Sequence, residues 1–274
     1  MKEIRLIAMD LDGTALRADR DTFSPRLLRA LEEAFRQGIA VAPVTGRQYG
    51  LLPGVLKTPH CWDDLAVLCN GGQIRRLRSG ELLHGLTIAP EAQLQLLELA
   101  RKFDLPIELS VESRLHLTEK SLQMQQGVPE LTFHRDVILA NHGVILEDLS
   151  QIDPKNVEKI NLLCIGPWVR DAVVEELKKI EVSAVWASSS SMEITHPDAT
   201  KGQGITRLCS FLDIPLENVM ALGDSGNDET MLRQAGLGVA MGNAPDWVKA
   251  CADVVTDSNV CDGAAAAIER YALN

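Results

Sequence analysis

Two carboxylates two residues apart, Asp10 and Asp12, stand where a short apolar run, Ile4 to Leu11, gives way to Gly13-Thr14. If the run is a strand, alternation puts both side chains on one side of the chain. Paired carboxylates at a strand end suit a nucleophile with a general acid, a cation site, or both. A second apolar run ends in Thr45-Gly46-Arg47. The Thr45 hydroxyl and the following backbone N–H groups of Gly46 and Arg47 could cradle a phosphoryl oxygen. Lys201, just ahead of a helical pattern, offers a compact charge for the same oxygen. Asp224, Asn227 and Asp228 lie in a Gly-Ser-Gly loop after a further apolar run. Acidic and amide groups this close together suit a hard cation, and the spacing is not that of an EF-hand. Each feature alone also fits a capped turn or a solvated loop. All four together, each beside a core element, make coincidence the poorer reading.

The elements that must position these groups follow from periodicity. Ile4 to Leu11, Ile39 to Val44 and Leu65 to Cys69 are short apolar runs that read as buried strands. Between the first two, Ser24-Pro25 opens a helix carrying Leu27, Leu28, Leu31 and Phe35, and Gly38 closes it. Residues 48–64 read as an irregular crossover. Gln73 to Ile88 reads as a hairpin turning at Ser79-Gly80. A helix after Pro90 with strands near 107–111 and 115–118, then a helix near 168–180 with strands near 182–187 and 192–195, gives helix–strand–strand twice. After Lys201-Gly202 the strand–helix rhythm resumes, with strands at 219–222, 237–240 and 252–255. The architecture expected is a parallel α/β sheet formed by both chain ends, residues 1–81 and 196–274, with an α+β module at 82–195 inserted in the middle.

Composition narrows the function classes. The chain has 274 residues, 46% hydrophobic and only 4% aromatic, so a sizeable aliphatic core is expected. Twenty-seven basic against 38 acidic residues leave a net charge of −11, a field that repels nucleic acid and anionic membranes. The six cysteines, Cys61, Cys69, Cys164, Cys209, Cys251 and Cys261, show no C-x-x-C or zinc-like spacing, and several sit inside apolar runs. The start lacks a signal-peptide pattern, and no apolar run reaches bilayer length. The expectation is a reduced cytoplasmic protein with structural cysteines.

The motifs in this order resemble those of the haloacid dehalogenase-like hydrolases. Asp10-Leu-Asp12-Gly13-Thr14 is similar to that family's first motif, Thr45-Gly46-Arg47 to its second, Lys201-Gly202 to its third and Gly223-Asp224-Ser225-Gly226-Asn227-Asp228 to its fourth. Asn70-Gly71-Gly72, Met241-Gly242-Asn243-Ala244 and the stretch 256–263 resemble patterns of its Cof-type subgroup, and the insert resembles that subgroup's large type-two (C2B) cap. The resemblance implies a doubly wound parallel-sheet (Rossmann-like) α/β core with an inserted α+β cap. It also implies a Mg²⁺-dependent phosphatase of small phosphorylated metabolites, a sugar phosphate being favoured. Asp10 would attack phosphorus and form an aspartyl-phosphate. Asp12 would protonate the leaving oxygen and then deprotonate water. Mg²⁺ would be held by the Asp10 carboxylate, the Asp12 backbone carbonyl and Asp224. Thr45, Gly46, Arg47, Lys201 and Asn227 would hold phosphoryl oxygens, and Asp228 would orient Lys201 and metal-bound waters. The insert would cover the strand ends and select substrate, through turn residues such as Glu112, Ser113, Arg114 and Ser188 to Ser191; His196 reads as a hinge or a substrate contact. Two alternatives stay open: a phosphomutase or phosphotransferase on the same fold, and a non-enzymatic phospho-acceptor signalling protein.

Overall fold

The structure, a computed structural model, describes residues 3–57, 64–137, 139–140 and 143–273. Cys61 and part of the expected irregular crossover lie outside them. The chain divides into two compact units. Unit 1 is Met1–Arg47, Leu52–His84 and Thr200–Asn274; unit 2 is Gln48–Leu51 and Gly85–Ala199.

Unit 1 opens with β1 (Leu6–Met9) and β2 (Ala40–Pro43), followed by β3 (Leu65–Leu68), β4 (Gln73–Arg76) and β5 (Leu82–Gly85). Unit 2 holds β6 (Ile107–Val111), β7 (Arg114–Thr118), β8 (Gly143–Leu146), β9 (Val157–Leu162), β10 (Ser183–Trp186) and β11 (Met192–Thr195). The chain returns to unit 1 with β12 (Val219–Gly223), β13 (Leu237–Ala240) and β14 (Val254–Val255). The sheet of unit 1 runs β14-β13-β12-β1-β2, every neighbouring pair parallel. A parallel bridge between Val44 and Val67 carries it on toward β3. The chain leaves β1 in one direction, toward β2, and β12 later takes the other flank. β1 and β12 therefore bound the switch point of the sheet, where open α/β sheets leave a crevice beyond their carboxyl ends. Both strands are buried along their whole length, as the near-continuous apolar runs require. Ser24 accepts the Leu27 N–H at 3.0 Å and caps the helix Pro25–Arg36, with proline at its first position. The core is aliphatic: Leu6, Ala8, Val44, Val67, Ile205, Leu208, Val219 and Ala221 pack in one cluster.

Unit 2 is a six-stranded sheet in the order β10-β11-β9-β6-β7-β8. Leu96 and Leu99 of the helix Pro90–Lys102, and Val173 and Leu177 of the helix Pro167–Leu177, pack on Leu109, Ile160, Leu162 and Ile194. Gln48–Leu51 belongs here because Leu51 packs against Leu115, Leu117 and Leu122. Two strands differ from the sequence expectation. The helix–strand–strand pair left β8 and β9 unassigned, yet β9 lies between β6 and β11, antiparallel to both. Its sequence, Val-Glu-Lys-Ile-Asn-Leu, looks solvated, but all six residues are buried. Several of their polar groups are paired inside the unit, although Asn161 Oδ1 has no partner among the described residues. Asn161 Nδ2 and Gln125 Nε2 donate to the fully buried Glu108 at 3.1 and 2.9 Å, and Lys159 pairs with Glu193 at 2.6 Å. Cys69, Cys209 and Cys251 are buried and unbridged, whereas Cys261 is exposed, so it fills no core space. Among the described residues, no helix is long and apolar enough to cross a membrane.

Candidate active site at the switch point of the sheet

The register of the two central strands determines what meets beyond them. Met9 pairs with Leu222, and the Asp10 N–H donates to Leu222 C=O at 3.0 Å, so Asp10 and Asp224 leave the sheet side by side. After Asp10 the chain turns sharply through Leu11–Ala15, closed by the Leu16 N–H to the Leu11 carbonyl at 2.9 Å. Gly13 sits in that turn at φ +83°, and a Cβ there would lie 2.3 Å from Asp224 Oδ2. Only glycine lets the first loop approach the Asp224 carboxylate this closely. Thr14 Oγ1 donates to Asp224 Oδ1 at 3.0 Å, and Asn243 Nδ2 reaches Asp224 Oδ2 at 3.2 Å and the Gly13 carbonyl at 2.9 Å.

Lys201 begins the helix Lys201–Leu212, whose cap is Thr200. Its side chain is fully buried, and Nζ donates to Asp10 Oδ1 at 2.6 Å and to Asp228 Oδ1 at 2.5 Å. Asp228 Oδ2 accepts the backbone N–H groups of Asp224 and Ser225, both at 2.9 Å. One aspartate thus ties the lysine to the acidic loop. Asp10 Oδ2 has no hydrogen-bond partner among the described residues, which leaves the Asp10 carboxylate one open oxygen.

The electrostatics match this crowding. Burial pushes the Asp10 carboxyl well above its ordinary range, against the pull of Lys201 and with the push of Asp228 and Asp224. Burial, then the Asp228 charge, raises Asp224 to about 6. Burial alone would lower the Lys201 pKa, but Asp10 and Asp228 outweigh it, so the ammonium stays charged. Ligand atoms of Asp10, Asp224 and Asp228 fall within 4.8 Å of one another. Three carboxylates against one lysine leave an excess of negative charge in a buried place, which a hard divalent cation would neutralise. Asp228 already accepts three hydrogen bonds, so Asp10 and Asp224 are the carboxylates with room for it. The residues present fit a cation.

Asp12 does not join this cluster. Both its oxygens are taken by the Arg47 guanidinium, Nε to Oδ2 at 2.7 Å and Nη2 to Oδ1 at 2.6 Å, a bidentate fork. Its side chain is 41% exposed against 7% for Asp10, so alternation after a strand does not give the two carboxylates one environment. Arg47 Nη2 also donates to the Arg20 carbonyl at 3.2 Å, and the Arg47 N–H goes to Thr45 Oγ1 at 3.1 Å. In this structure the Thr45 hydroxyl and the Arg47 backbone are thus bonded to each other. Thr45 is buried and its N–H donates to Val67 at 2.9 Å, with Gly46 next to it at the end of β2. Asn227 is held at both ends of its amide: Ser225 Oγ donates to Oδ1 at 2.7 Å, and Nδ2 donates to Asn70 Oδ1 at 3.0 Å. Thr14, Asn70 and Asn243 carry no role in the sequence reading. Their only signal there was membership of the quoted motifs, because their contacts join loops that are far apart in the chain.

Comparison with known proteins fits this geometry. A family model for haloacid dehalogenase-like hydrolases matches residues 7–268. A Bacillus subtilis protein named 5-amino-6-(5-phospho-D-ribitylamino)uracil phosphatase is 30% identical over 99% of this chain and 97% of its own length. An Escherichia coli protein named pyridoxal phosphate phosphatase is 28% identical over 98% of this chain and 99% of its own. A solved haloacid dehalogenase-like hydrolase from B. subtilis superposes with a TM-score of 0.82 at 27% identity, covering 98% of this chain and all of that one. The family match begins inside β1, ends inside the last helix, Gly263–Tyr271, and takes in every residue of the cluster. The chain therefore belongs to the haloacid dehalogenase-like hydrolases.

Proposed function

We propose that the protein is a Mg²⁺-dependent phosphomonoester hydrolase that works on a small phosphorylated metabolite through an aspartyl-phosphate on Asp10. The observation that carries this is the asymmetric treatment of the Asp10 carboxylate. Lys201 fixes one oxygen at 2.6 Å while the other accepts nothing among the described residues. Asp10 Oδ2 attacks phosphorus, and the P–O bond to the leaving group breaks as Asp12 delivers a proton to the departing oxygen. Water then attacks the phosphoryl group on Asp10 and gives its proton to Asp12, releasing inorganic phosphate and restoring the Asp10 carboxylate. When bound, Mg²⁺ would be held by the Asp10 carboxylate, the Asp12 backbone carbonyl and Asp224, and it supplies the positive charge that lets a phosphate dianion approach these carboxylates. Lys201, Thr45, Asn227 and the Gly46-Arg47 backbone hold phosphoryl oxygens in this reading, and Asp228 keeps Lys201 aimed at Asp10. A dianion also competes with Asp12 for the Arg47 fork, which frees the Asp12 carboxylate for proton transfer.

Unit 1 supplies this chemistry, and unit 2 the choice of metabolite. Within this reading a sugar phosphate or a similar polyol phosphate is the favoured metabolite. The two relatives named above, both called phosphatases of small phosphorylated molecules, support the same class. The net charge of −11 and the buried cysteines support a cytoplasmic setting without nucleic-acid or membrane partners. A panel of phosphorylated metabolites assayed for phosphate release with Mg²⁺ and with EDTA tests the proposal. Metal-dependent release from polyol phosphates is expected. Full turnover in EDTA, or no release from any phosphomonoester, would overturn it.

A further inference from the structure

The segment Cys69-Asn70-Gly71 follows β3 and holds three successive residues at positive φ, +50°, +55° and +100°. Left-handed backbone at two adjacent non-glycine residues is costly and persists only where surrounding contacts enforce it. Here they do. The Cys69 N–H donates to the Arg47 carbonyl and the Asn70 N–H to the Thr45 carbonyl, both at 3.1 Å. A Cβ on Gly71 would lie 2.0 Å from the Thr200 carbonyl, so this backbone is pressed against the cap of the lysine helix. Arg207 Nη1 reaches the Gly71 carbonyl at 3.4 Å. Asn70 itself is 2% exposed, and its Oδ1 accepts from Asn227 Nδ2 at 3.0 Å. The strained turn therefore touches the loops of Thr45, Lys201 and Asn227 at once, and its one long polar side chain ends on the Asn227 amide.

We infer that Asn70 is a positioning residue that sets the orientation of the Asn227 carboxamide toward the phosphoryl group. This rests on the proposed role of Asn227 as a phosphoryl ligand. An amide has two faces that differ only in which end donates. Ser225 Oγ occupies the oxygen end of Asn227 and Asn70 Oδ1 takes one of its two N–H bonds. The second N–H is thereby directed rather than free to rotate, and an N–H, not a carbonyl oxygen, faces the incoming anion. Without the Asn70 acceptor the amide can turn over and present its oxygen to phosphate, which repels it. The left-handed backbone is the cost of bringing that acceptor to the site. Asparagine tolerates φ above zero better than other residues that could offer a carbonyl oxygen at this length.

The same geometry supplies a clean variant. Asn70→Gly keeps the backbone N–H to Thr45, relaxes the strained φ and removes the acceptor, so the fold is expected to hold. The experiment is a double-mutant cycle on the full-length enzyme with Asn70→Gly, Asn227→Ala and both together. It reads kcat/KM with a sugar phosphate, the inhibition constant of inorganic phosphate, and the Mg²⁺ concentration that half-restores activity. Each single variant is expected to lose about tenfold or more in kcat/KM and to bind phosphate correspondingly more weakly, with Mg²⁺ demand unchanged. The double variant is expected to be no worse than Asn227→Ala alone, because Asn70 acts through Asn227. Asn70→Asp, which accepts from the same N–H and tolerates the same backbone, should recover most of the Mg²⁺-saturated rate. Additive losses in the double variant, or wild-type phosphate affinity in Asn70→Gly, would overturn the inference. Wild-type behaviour of Asn227→Ala would instead overturn the phosphoryl-ligand reading on which it rests.

Discussion

Asp12 and Asp10 are two residues apart and differ in nearly everything that governs reactivity. Asp10 is buried, held by one lysine and open at one oxygen, whereas Asp12 is half-exposed and gripped at both oxygens by Arg47. If Asp12 is the general acid and base, Asp12→Asn should penalise substrates by leaving group. Sugar phosphates, which need a proton on the departing oxygen, are expected to lose about 10²–10⁴-fold in rate. Nitrophenyl phosphate should lose less in its first step and give a burst of nitrophenol under rapid mixing, since the second step then lacks its base. Equal losses with no burst would reassign Asp12. Asp224 carries a pH signature of its own. Its folded pKa of about 6 lies above the ordinary 3.8, so the metal-free native state binds more protons than the unfolded chain between those values. Stability contributed by that proton is therefore full below about pH 4, falls as pH rises toward about 6, and then levels. Urea unfolding in chelator should show this slope in the wild type and lose part of it in Asp224→Asn; identical slopes would show that Asp224 titrates normally. At this scale the sequence was legible in combination. Asp10, Lys201 and Asp224 each also fit a capped turn or a solvated loop. It is their occurrence together beside core elements that marked them, and the structure does bring the three together. Asn70, Thr14 and Asn243 could not be given roles, because each acts by touching a residue 157 to 230 positions away, or 210 in the case of Thr14, and no local pattern records that.

Two glycines at nearly the same φ separate conformational strain from close approach. Gly13 at +83° abuts the Asp224 carboxylate, while a Cβ at Gly38, at +80°, would meet nothing within 4 Å among the described residues. Gly38→Ala should cost only backbone strain, about 1–2 kcal/mol, and leave metal affinity intact. Gly13→Ala adds a steric displacement of Asp224 to the same strain, so the half-saturating Mg²⁺ concentration in a thermal-shift titration should rise about tenfold or more. Equal effects of the two substitutions on Mg²⁺ would show that the Asp224 contact has no bearing on the cation. The elements themselves were legible in proportion to how cleanly their burial follows their chemistry. β1 and β12 announce themselves because both faces are apolar and enclosed. β9 did not, because Glu158, Lys159 and Asn161 are buried as hydrogen-bonded polar groups, and a residue-by-residue reading treats such side chains as solvent-facing. The Gln48–Leu51 segment was hidden for a related reason: four residues belong to unit 2 through one leucine contact cluster far along the chain.

In the whole molecule the two units have separate cores, one around Leu6, Val67 and Val219 and one around Leu109, Ile160 and Ile194. Every residue proposed to hold the cation lies in unit 1. Mg²⁺ should therefore slow amide exchange in peptides spanning β1, the loop 11–15 and 219–228, while β6 and β9 exchange as before. Uniform protection across both units would mean that the cation stabilises the molecule as one cooperative body. The insertion of unit 2 between the two halves of the sheet also has a consequence for biosynthesis. Asp10 is translated 191 residues before its lysine partner, and Asp224 follows later still. The pairing of β1 with β12 closes a loop of more than 200 residues, so it must wait until β12 has been translated. Unit 2, whose strands are neighbours within a continuous stretch from Gly85 to Ala199, can fold while β1 still waits for its partner. A chain stopped before β12 thus carries Asp10 without Asp224 and Asp228 beside it, so on the proposed reading it is expected neither to bind Mg²⁺ nor to turn over a phosphomonoester.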